Sequence, residues 1–350
     1  MAGFPRPRAS RQAVLRFAAA LVAAVLLSGC ETLAYYAQAV SGQLELVSHA
    51  RPLEIVASDP ATAPELRERL WLAGSIRDFA ARELRLPDNG SYRSYADIGR
   101  RYVVWNVFAA PEFSLEPVTS CFPVAGCVAY RGFFARDDAV SHAARLLAQG
   151  NDVHLFGVPA YSTLGRFDDP LLSSFIFYSD AELARLLLHE LAHQLLYLKD
   201  DSTFNESFAA VVEREGVRRW LEASGRGAQM PAFLEAERRK AELLAQVGQT
   251  RARLEAVYRS RIAPGEMRAR KRAEMDALRA KMINPAPVAE GRRIEPNNAL
   301  LAAYATYTQL APAFEKLLAE EGGDLGRFYD RAKKMASERS SRGPSSAPSR

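Results

Sequence analysis

The stretch of sequence that decides the fold is ARLLLHELAHQLLYL, residues 184–198. It contains neither glycine nor proline, the two residues that most often interrupt a helix. Just before it, Ser179 is followed three residues later by Glu182, which is the capping-box pattern of a helix start. These signals predict one long helix over residues 179–199.

This predicted helix carries the pattern H-E-x-x-H at His189, Glu190 and His193. Residues four apart lie on one helix face, a single turn apart, so both imidazoles can reach one metal ion. Zinc lowers the pKa of water at such a site, and Glu190 is placed to take the proton as general base. The pattern predicts one Zn²⁺ per chain, although two histidines on a partly buried helix face would give the same letters.

A catalytic zinc site of this kind needs a third protein ligand and an open fourth position. No histidine follows at short range, but Asn205 and Glu206 open the next predicted helix after a polar break at residues 199–203. Two helices joined by a short turn bring the end of one near the start of the next, which favours Glu206 as the ligand. Glu213 lies on the same helix face about two turns later. It is the alternative ligand, or the residue that holds a ligating histidine.

The first 29 residues predict a lipoprotein signal peptide rather than part of the fold. Residues 17–27 form an apolar run that follows a basic segment and is too short to span a bilayer comfortably. The letters LSGC then end at Cys30 in the pattern of a lipobox, so we expect this cysteine to be acylated, with palmitate among its lipids. A signal cleaved beside an incidental cysteine is the alternative. By resemblance to the sorting rules of lipoproteins, Glu31 at the next position implies a lipid-anchored protein on the periplasmic face of a bacterial outer membrane.

Composition excludes several classes of protein. The chain has 350 residues, 48% of them hydrophobic, which is typical of a globular protein. This composition argues against an extended fibre and against a fully disordered chain. Its net charge of +5 comes mostly from arginines in the predicted signal peptide, so the charge is no evidence for a nucleic-acid partner. No later apolar run is comparable in length, and we expect contact with the membrane only through the lipid anchor.

Coarse element patterns predict an α+β protein with a small mixed sheet. Aromatic and β-branched residues predict strands over residues 102–113, 127–134 and 152–165, and residues 137–150 have an acidic helix start and a glycine stop. Residues 30–336 are predicted to form one domain.

Two further segments have distinctive compositions. Charged helical stretches over about residues 230–282 predict a helical hairpin, and its basic part, 251–281, is either a solvated face or a surface for anionic lipid. The serine-rich residues 337–350 predict a disordered tail. Cys121 and Cys127 are expected to form a disulfide in an oxidising periplasm, with two reduced thiols as the alternative.

Other residues are candidates for contact with a substrate. Tyr304 and Tyr307 could donate a hydrogen bond to an oxyanion, although core packing is the more common use of such residues. Small or polar residues lie in the predicted strand before the long helix, where a bound peptide could pair with the backbone. This second group consists of Gly157, Ala160, Tyr161 and Ser162. A surface loop is an equally good interpretation of that segment.

Three blocks of sequence together resemble a known family. They are LLLHELAHQLLYLKDDSTFNESFAAVVEREG at 186–216, GVPAYSTLGRFDDPLLSSF at 157–175 and CFPVAGCVAYRGFF at 121–134. They are similar to the bacterial family described as predicted aminopeptidases, which are often lipoproteins. The resemblance covers most of residues 30–335 and implies a zincin-like metallopeptidase domain. The Asn-Glu pair resembles that of thermolysin-like gluzincins, in which the interval from the second histidine is longer.

These observations predict a zinc-dependent aminopeptidase that hydrolyses peptide bonds in the bacterial envelope. An envelope endopeptidase or amidase is the alternative within enzymes. A non-catalytic lipoprotein scaffold, which binds a partner through the helical hairpin, is the alternative of another class. The intact H-E-x-x-H argues against it, because a structural metal site needs no glutamate beside the ion. The expected partners are a peptide substrate and the membrane, and the sequence specifies no protein partner.

Overall fold

The computed structural model describes three stretches of the chain: residues 33–122, 126–282 and 295–341. The predicted signal peptide, Cys30 and residues 342–350 lie outside these described residues. Contacts divide the chain into two compact units, Met1–Glu45 and Leu46–Arg350. The described part of the first unit, residues 33–45, belongs to helix α1, which spans residues 33–49.

The second unit is a helix-rich α+β structure with small sheets. After α1, its helices are α2 (Leu53–Ser58), α3 (Pro64–Arg82), α4 (Arg136–Ala148), α5 (Asp180–Leu195), α6 (Ser202–Ala223), α7 (Met230–Arg259), α8 (Pro264–Lys281), α9 (Asn298–Thr308), α10 (Ala311–Glu320) and α11 (Leu325–Ser341). Its strands are β1 (Arg51–Pro52), β2 (Ser94–Ala96), β3 (Val104–Pro111), β4 (Ser120–Phe122), β5 (Gly126–Val128), β6 (Tyr130–Phe133), β7 (Asn151–Val158) and β8 (Leu171–Leu172). None of the described helices combines the length and apolar character that crossing a membrane requires.

The main sheet has the strand order β6-β3-β7, with β3 antiparallel to both neighbours. In its register, Val107 of β3 lies opposite Arg131 and Leu155. Helices α4 and α9 cover opposite faces of this sheet. The side chains of each strand point alternately to these two faces. Tyr130 of β6 packs with residues of α9, whereas the Phe133 ring contacts His142 of α4. Both faces of β3 are therefore buried.

The largest core cluster joins α5 and α6 to α3, α10 and α11. The rings of Phe208, Phe314 and Phe328 contact one another there. At Gly216 of α6, an added Cβ would lie 2.7 Å from a methyl carbon of Leu188. The absence of a side chain at this position allows α5 and α6 to pack closely.

The predicted helical hairpin is present as α7 and α8, which pack against each other. Together with Leu301 of α9 they enclose a second, smaller core. Lys271 of α8 pairs with Asp152 at 2.7 Å, so the hairpin is also tied to the start of β7. The hairpin thus packs beside the main sheet as part of the second unit.

The structure corrects three predictions about elements. The third predicted strand ends at Val158, and residues 127–134 form parts of two strands that are interrupted at Ala129. The predicted disordered tail is wrong for residues 337–341, which belong to α11. Arg339 there donates two hydrogen bonds to the Asp201 carboxylate, at 2.8 and 2.6 Å. The composition indicated disorder, but the helix that buries Ala336 continues through these residues, and its end contacts Asp201.

Candidate metal centre

The connection between α5 and α6 sets how the two helices meet. Asp201 caps the start of α6 by accepting a hydrogen bond from the Phe204 amide at 2.9 Å. Asn205 bonds to both backbone groups of Leu198: its oxygen accepts from the amide at 2.7 Å and its nitrogen donates to the carbonyl at 2.8 Å. The Asn205 side chain therefore ties the first turn of α6 to the connection just after α5. These two hydrogen bonds fix the position of the neighbouring Glu206.

Three side chains from these helices converge on one point. The Nε2 atoms of His189 and His193 lie 3.1 Å apart, and Glu206 Oε2 lies 3.2 Å from the first and 3.6 Å from the second. One ligand atom from each residue lies within 4.8 Å of the others. Two imidazole nitrogens and one carboxylate oxygen are the donor set of a zinc hydrolase. The three residues therefore fit a divalent ion such as zinc.

Glu213 is not part of this group but supports it. Its Oε2 lies 2.8 Å from Nδ1 of His189, the ring nitrogen that faces away from the convergence point. Its other oxygen lies 3.4 Å from Lys240 Nζ and 3.7 Å from an Arg185 nitrogen. A carboxylate in this position fixes the tautomer and the orientation of a metal-binding histidine.

The two carboxyl groups are held in their charged form. Burial opposes ionisation of Glu206, but the neighbouring His193 and His189 outweigh it and lower its pKa to about 2. Burial is likewise overcome at Glu213, where His189, Lys240 and Arg185 lower the pKa to about 2. Burial works against protonation of His189, and the two glutamates nevertheless raise its pKa well above the ordinary value. The carboxylates therefore bring negative charge to the two imidazoles, and a bound cation would take the place of the proton on His189.

Glu190 differs from the other two glutamates. It is half-buried, and no hydrogen bond joins its carboxylate to any of the described residues. Burial raises its pKa, although the nearby His189 and His193 oppose the shift. A carboxylate without a fixed partner and with a raised pKa is suited to accept and release a proton.

The two candidate oxyanion donors, Tyr304 and Tyr307, both lie in α9 but have different surroundings. Tyr307 lies near the metal group, since the carboxylates of Glu206 and Glu190 add to the effect of burial in raising its pKa well above the usual value. Tyr304 packs instead against the core beneath the α7–α8 hairpin. The structure therefore brings Tyr307 to the site and places Tyr304 elsewhere.

The predicted substrate segment is mostly used for packing. The space beside Gly157 is filled by the Tyr102 ring, which an added Cβ would meet at 2.3 Å. Ala160 and Tyr161 pack against the main core. Ser162 is turned toward Asp169, with their oxygens 3.5 Å apart. Gly157 therefore has a packing role, and pairing of a substrate backbone with this segment stays a prediction.

Cys121 and Cys127 are joined by a disulfide, the expected pairing. It closes the β4–β5 hairpin, and the Cys127 amide donates to Asp200 Oδ1 at 2.6 Å. Asp200 lies in the connection between α5 and α6. The closed hairpin is thus attached to the same connection that positions Glu206.

Some residues of the site had no distinct signal in the sequence. Burial, together with the charges of Glu206 and Glu190, raises the pKa of Tyr130 well above the usual value. The action of these two charges indicates that Tyr130 lies near the metal group. The alternating pattern of its strand predicts on which face of the sheet Tyr130 lies, but not which other elements pack against that face. Arg185 and Lys240 read as ordinary helix surface charges, and their contact with Glu213 depends on how α5, α6 and α7 pack.

A comparison with known protein families finds a match over most of the chain. A family model with the description "Putative aminopeptidase" matches residues 34–343, which include the whole metal group. No curated protein and no solved structure matches the chain.

Proposed function

The chain belongs to this aminopeptidase family, and from that membership and the geometry of the site we propose that it is a zinc-dependent peptidase of the bacterial envelope. The observation that carries the proposal is the convergence of His189, His193 and Glu206 with Glu190 beside them. Zincin-like architecture, of the gluzincin type, is part of the same proposal. It is supported by H-E-x-x-H on one helix and the third donor at the start of the next.

The three converging residues would hold the zinc ion, which when bound polarises a peptide carbonyl and lowers the pKa of water. Glu190 takes a proton from the attacking water and delivers it to the amine of the leaving group. Its freedom from other hydrogen bonds allows it to serve both steps. Tyr307 supports the reaction as a donor to the oxygen that becomes negatively charged.

Glu213 acts through His189 rather than on the substrate. Its bond to Nδ1 keeps Nε2 directed at the metal position. Arg185 and Lys240 hold the Glu213 carboxylate and partly neutralise it. We therefore assign these two cations to the support of the site.

Endopeptidase or amidase action is the second candidate. Capture of a free substrate amine calls for a carboxylate beside the scissile bond. The charges of Glu206, Glu190 and Glu213 act on Tyr307, and each of these carboxylates has another part in the proposed chemistry. That none of the three is left to bind an amine supports this candidate.

The experiment is a digest by the purified protein of matched peptides with free and acetylated amino termini, with and without a chelator. We expect cleavage that the chelator abolishes and that added zinc restores. Loss of activity on the acetylated peptides identifies an aminopeptidase, and retained activity an endopeptidase. Cleavage that a chelator leaves unchanged would contradict the zinc proposal.

Attachment to the membrane is a proposal from the sequence alone. We propose that Cys30 is acylated and anchors the protein to the periplasmic face of the outer membrane. A Cys30→Ala variant should take up no labelled palmitate in cells and should remain an unlipidated precursor. Normal labelling of that variant would remove the lipobox assignment.

A further inference from the structure

Two phenol groups meet the metal centre from different elements. Tyr130 begins β6, and Tyr307 lies in the last turn of α9. Within the described residues, neither hydroxyl has a hydrogen-bond partner, and both side chains are half-buried rather than enclosed. Both hydroxyls are therefore free to bond to a molecule that enters the site.

Packing between the sheet and α9 relates the positions of the two tyrosines. The Tyr130 ring lies 5.1 Å from that of Phe108, in a cluster that also contains Ala299 and Ala303 of α9. Tyr307 is one helical turn beyond Ala303, on the same side of α9. The contact between the sheet and α9 therefore brings the two phenols to the same region.

A second contact fixes Tyr130 relative to the metal-binding helices. Three residues before it, the Cys127 amide donates to Asp200 in the α5–α6 connection at 2.6 Å. The disulfide to Cys121 closes this hairpin, so little freedom remains between the connection and β6. Tyr130 therefore follows, after three residues, a direct bond to the connection that leads into α6, where Glu206 lies.

The electrostatic surroundings suit a donor. Burial and the carboxylates of Glu206 and Glu190 raise the pKa of both phenols well above the usual value, so both keep their protons. A neutral phenol can donate one hydrogen bond, and this bond is stronger when the acceptor becomes an anion.

We propose that Tyr130 is a catalytic residue that, together with Tyr307, donates a hydrogen bond to the substrate oxygen on which negative charge develops. This inference rests on the proposed peptidase function. It adds a residue from the sheet to a site otherwise built from helices.

The test compares wild type with Tyr130→Phe, and uses Tyr304→Phe as the matched control on α9. Tyr304 loses the same hydroxyl but packs away from the site. The probes are aminoacyl 4-methylcoumaryl-7-amides and a quenched fluorescent casein, followed with measurements of bound zinc and thermal unfolding. We expect kcat of Tyr130→Phe to fall by about a hundredfold with KM changed by less than about threefold, the scale of losing one oxyanion donor. Zinc content and melting temperature should stay at the wild-type values, and Tyr304→Phe should match wild type throughout.

A phosphinic peptide gives a second readout, because its tetrahedral oxygens mimic the charged oxygen. Tyr130→Phe should weaken its binding by about the same factor as kcat. A Tyr130→His variant, which restores a donor on a ring, should recover part of the loss.

Two results would overturn the inference and leave the peptidase proposal intact. One is a Tyr130→Phe protein with kcat within about twofold of wild type. The other is loss of zinc or of thermal stability in that variant, which would give the hydroxyl a structural role. A wild-type protein without chelator-sensitive hydrolysis of either probe would contradict the proposed function and this inference with it.

Discussion

The metal centre and the α7–α8 hairpin both contain pairs of arginine and glutamate, but the pairs differ in their exposure to solvent. At the centre, Arg185 and Glu213 are mostly buried, with side-chain exposures of 16% and 8%. On α7, Arg238 binds Glu235 at 2.7 Å, but these side chains are 56% and 43% exposed. Water screens the second pair and hardly reaches the first, so the shorter distance on the hairpin does not give a stronger interaction.

The comparison teaches which charges in this protein are functional. A buried ion that loses its partner stays uncompensated, whereas an exposed ion is simply solvated again. We therefore expect substitutions at the centre to change metal binding and turnover, and substitutions on the hairpin surface to change neither.

The largest effect is expected from Glu206→Ala. It removes one of three donors and leaves His189 and His193 without the carboxylate that completes the group. We expect loss of both zinc and hydrolysis, measured by metal analysis and peptide cleavage. Glu222→Ala, an exposed position on the same helix, is the control. Full zinc occupancy in Glu206→Ala would assign the third ligand to another residue.

Next in size is Glu190→Gln, which keeps the shape of the side chain and removes its charge. We expect turnover to fall by at least about a hundredfold, the scale of removing a positioned proton carrier. Zinc content should remain close to wild type, because Glu190 lies outside the converging group. Unchanged turnover would mean that another group is the base.

Glu213→Gln separates support of the site from ligation. The amide can still meet Nδ1 of His189, but the charge that polarises the imidazole is gone. We expect zinc affinity to fall by about 10- to 100-fold, measured by competition with a chelator dye. A variant that binds no zinc even at saturating concentrations would make Glu213 a ligand instead.

The smallest effect is expected from Arg238→Ala on the hairpin surface. Its partners Glu235 and Glu242 are solvent-exposed and need no replacement cation. Melting temperature, zinc content and turnover should all match wild type within error. A clear loss of turnover would show that the hairpin surface contributes to activity and would remove the contrast between the two regions.

Much of the fold could be predicted because its signals are local. Ser179 and Glu182 marked the start of α5, and the hairpin helices followed from their long charged stretches. Helix α11 was not predicted, and residues 337–341 were assigned to disorder. What holds its end is the ion pair between Arg339 and Asp201, residues distant in the sequence. No local composition encodes such a contact.

The sequence by itself determined the spacing of His189 and His193, since helix geometry alone puts residues four apart on one face. Only the tertiary structure separated Glu206 from Glu213, because their roles depend on how α6 is rotated and set against α5. It likewise brought Tyr130 near the site. Distances within a helix are set by its repeat, whereas distances between elements are set by the packing of the whole core.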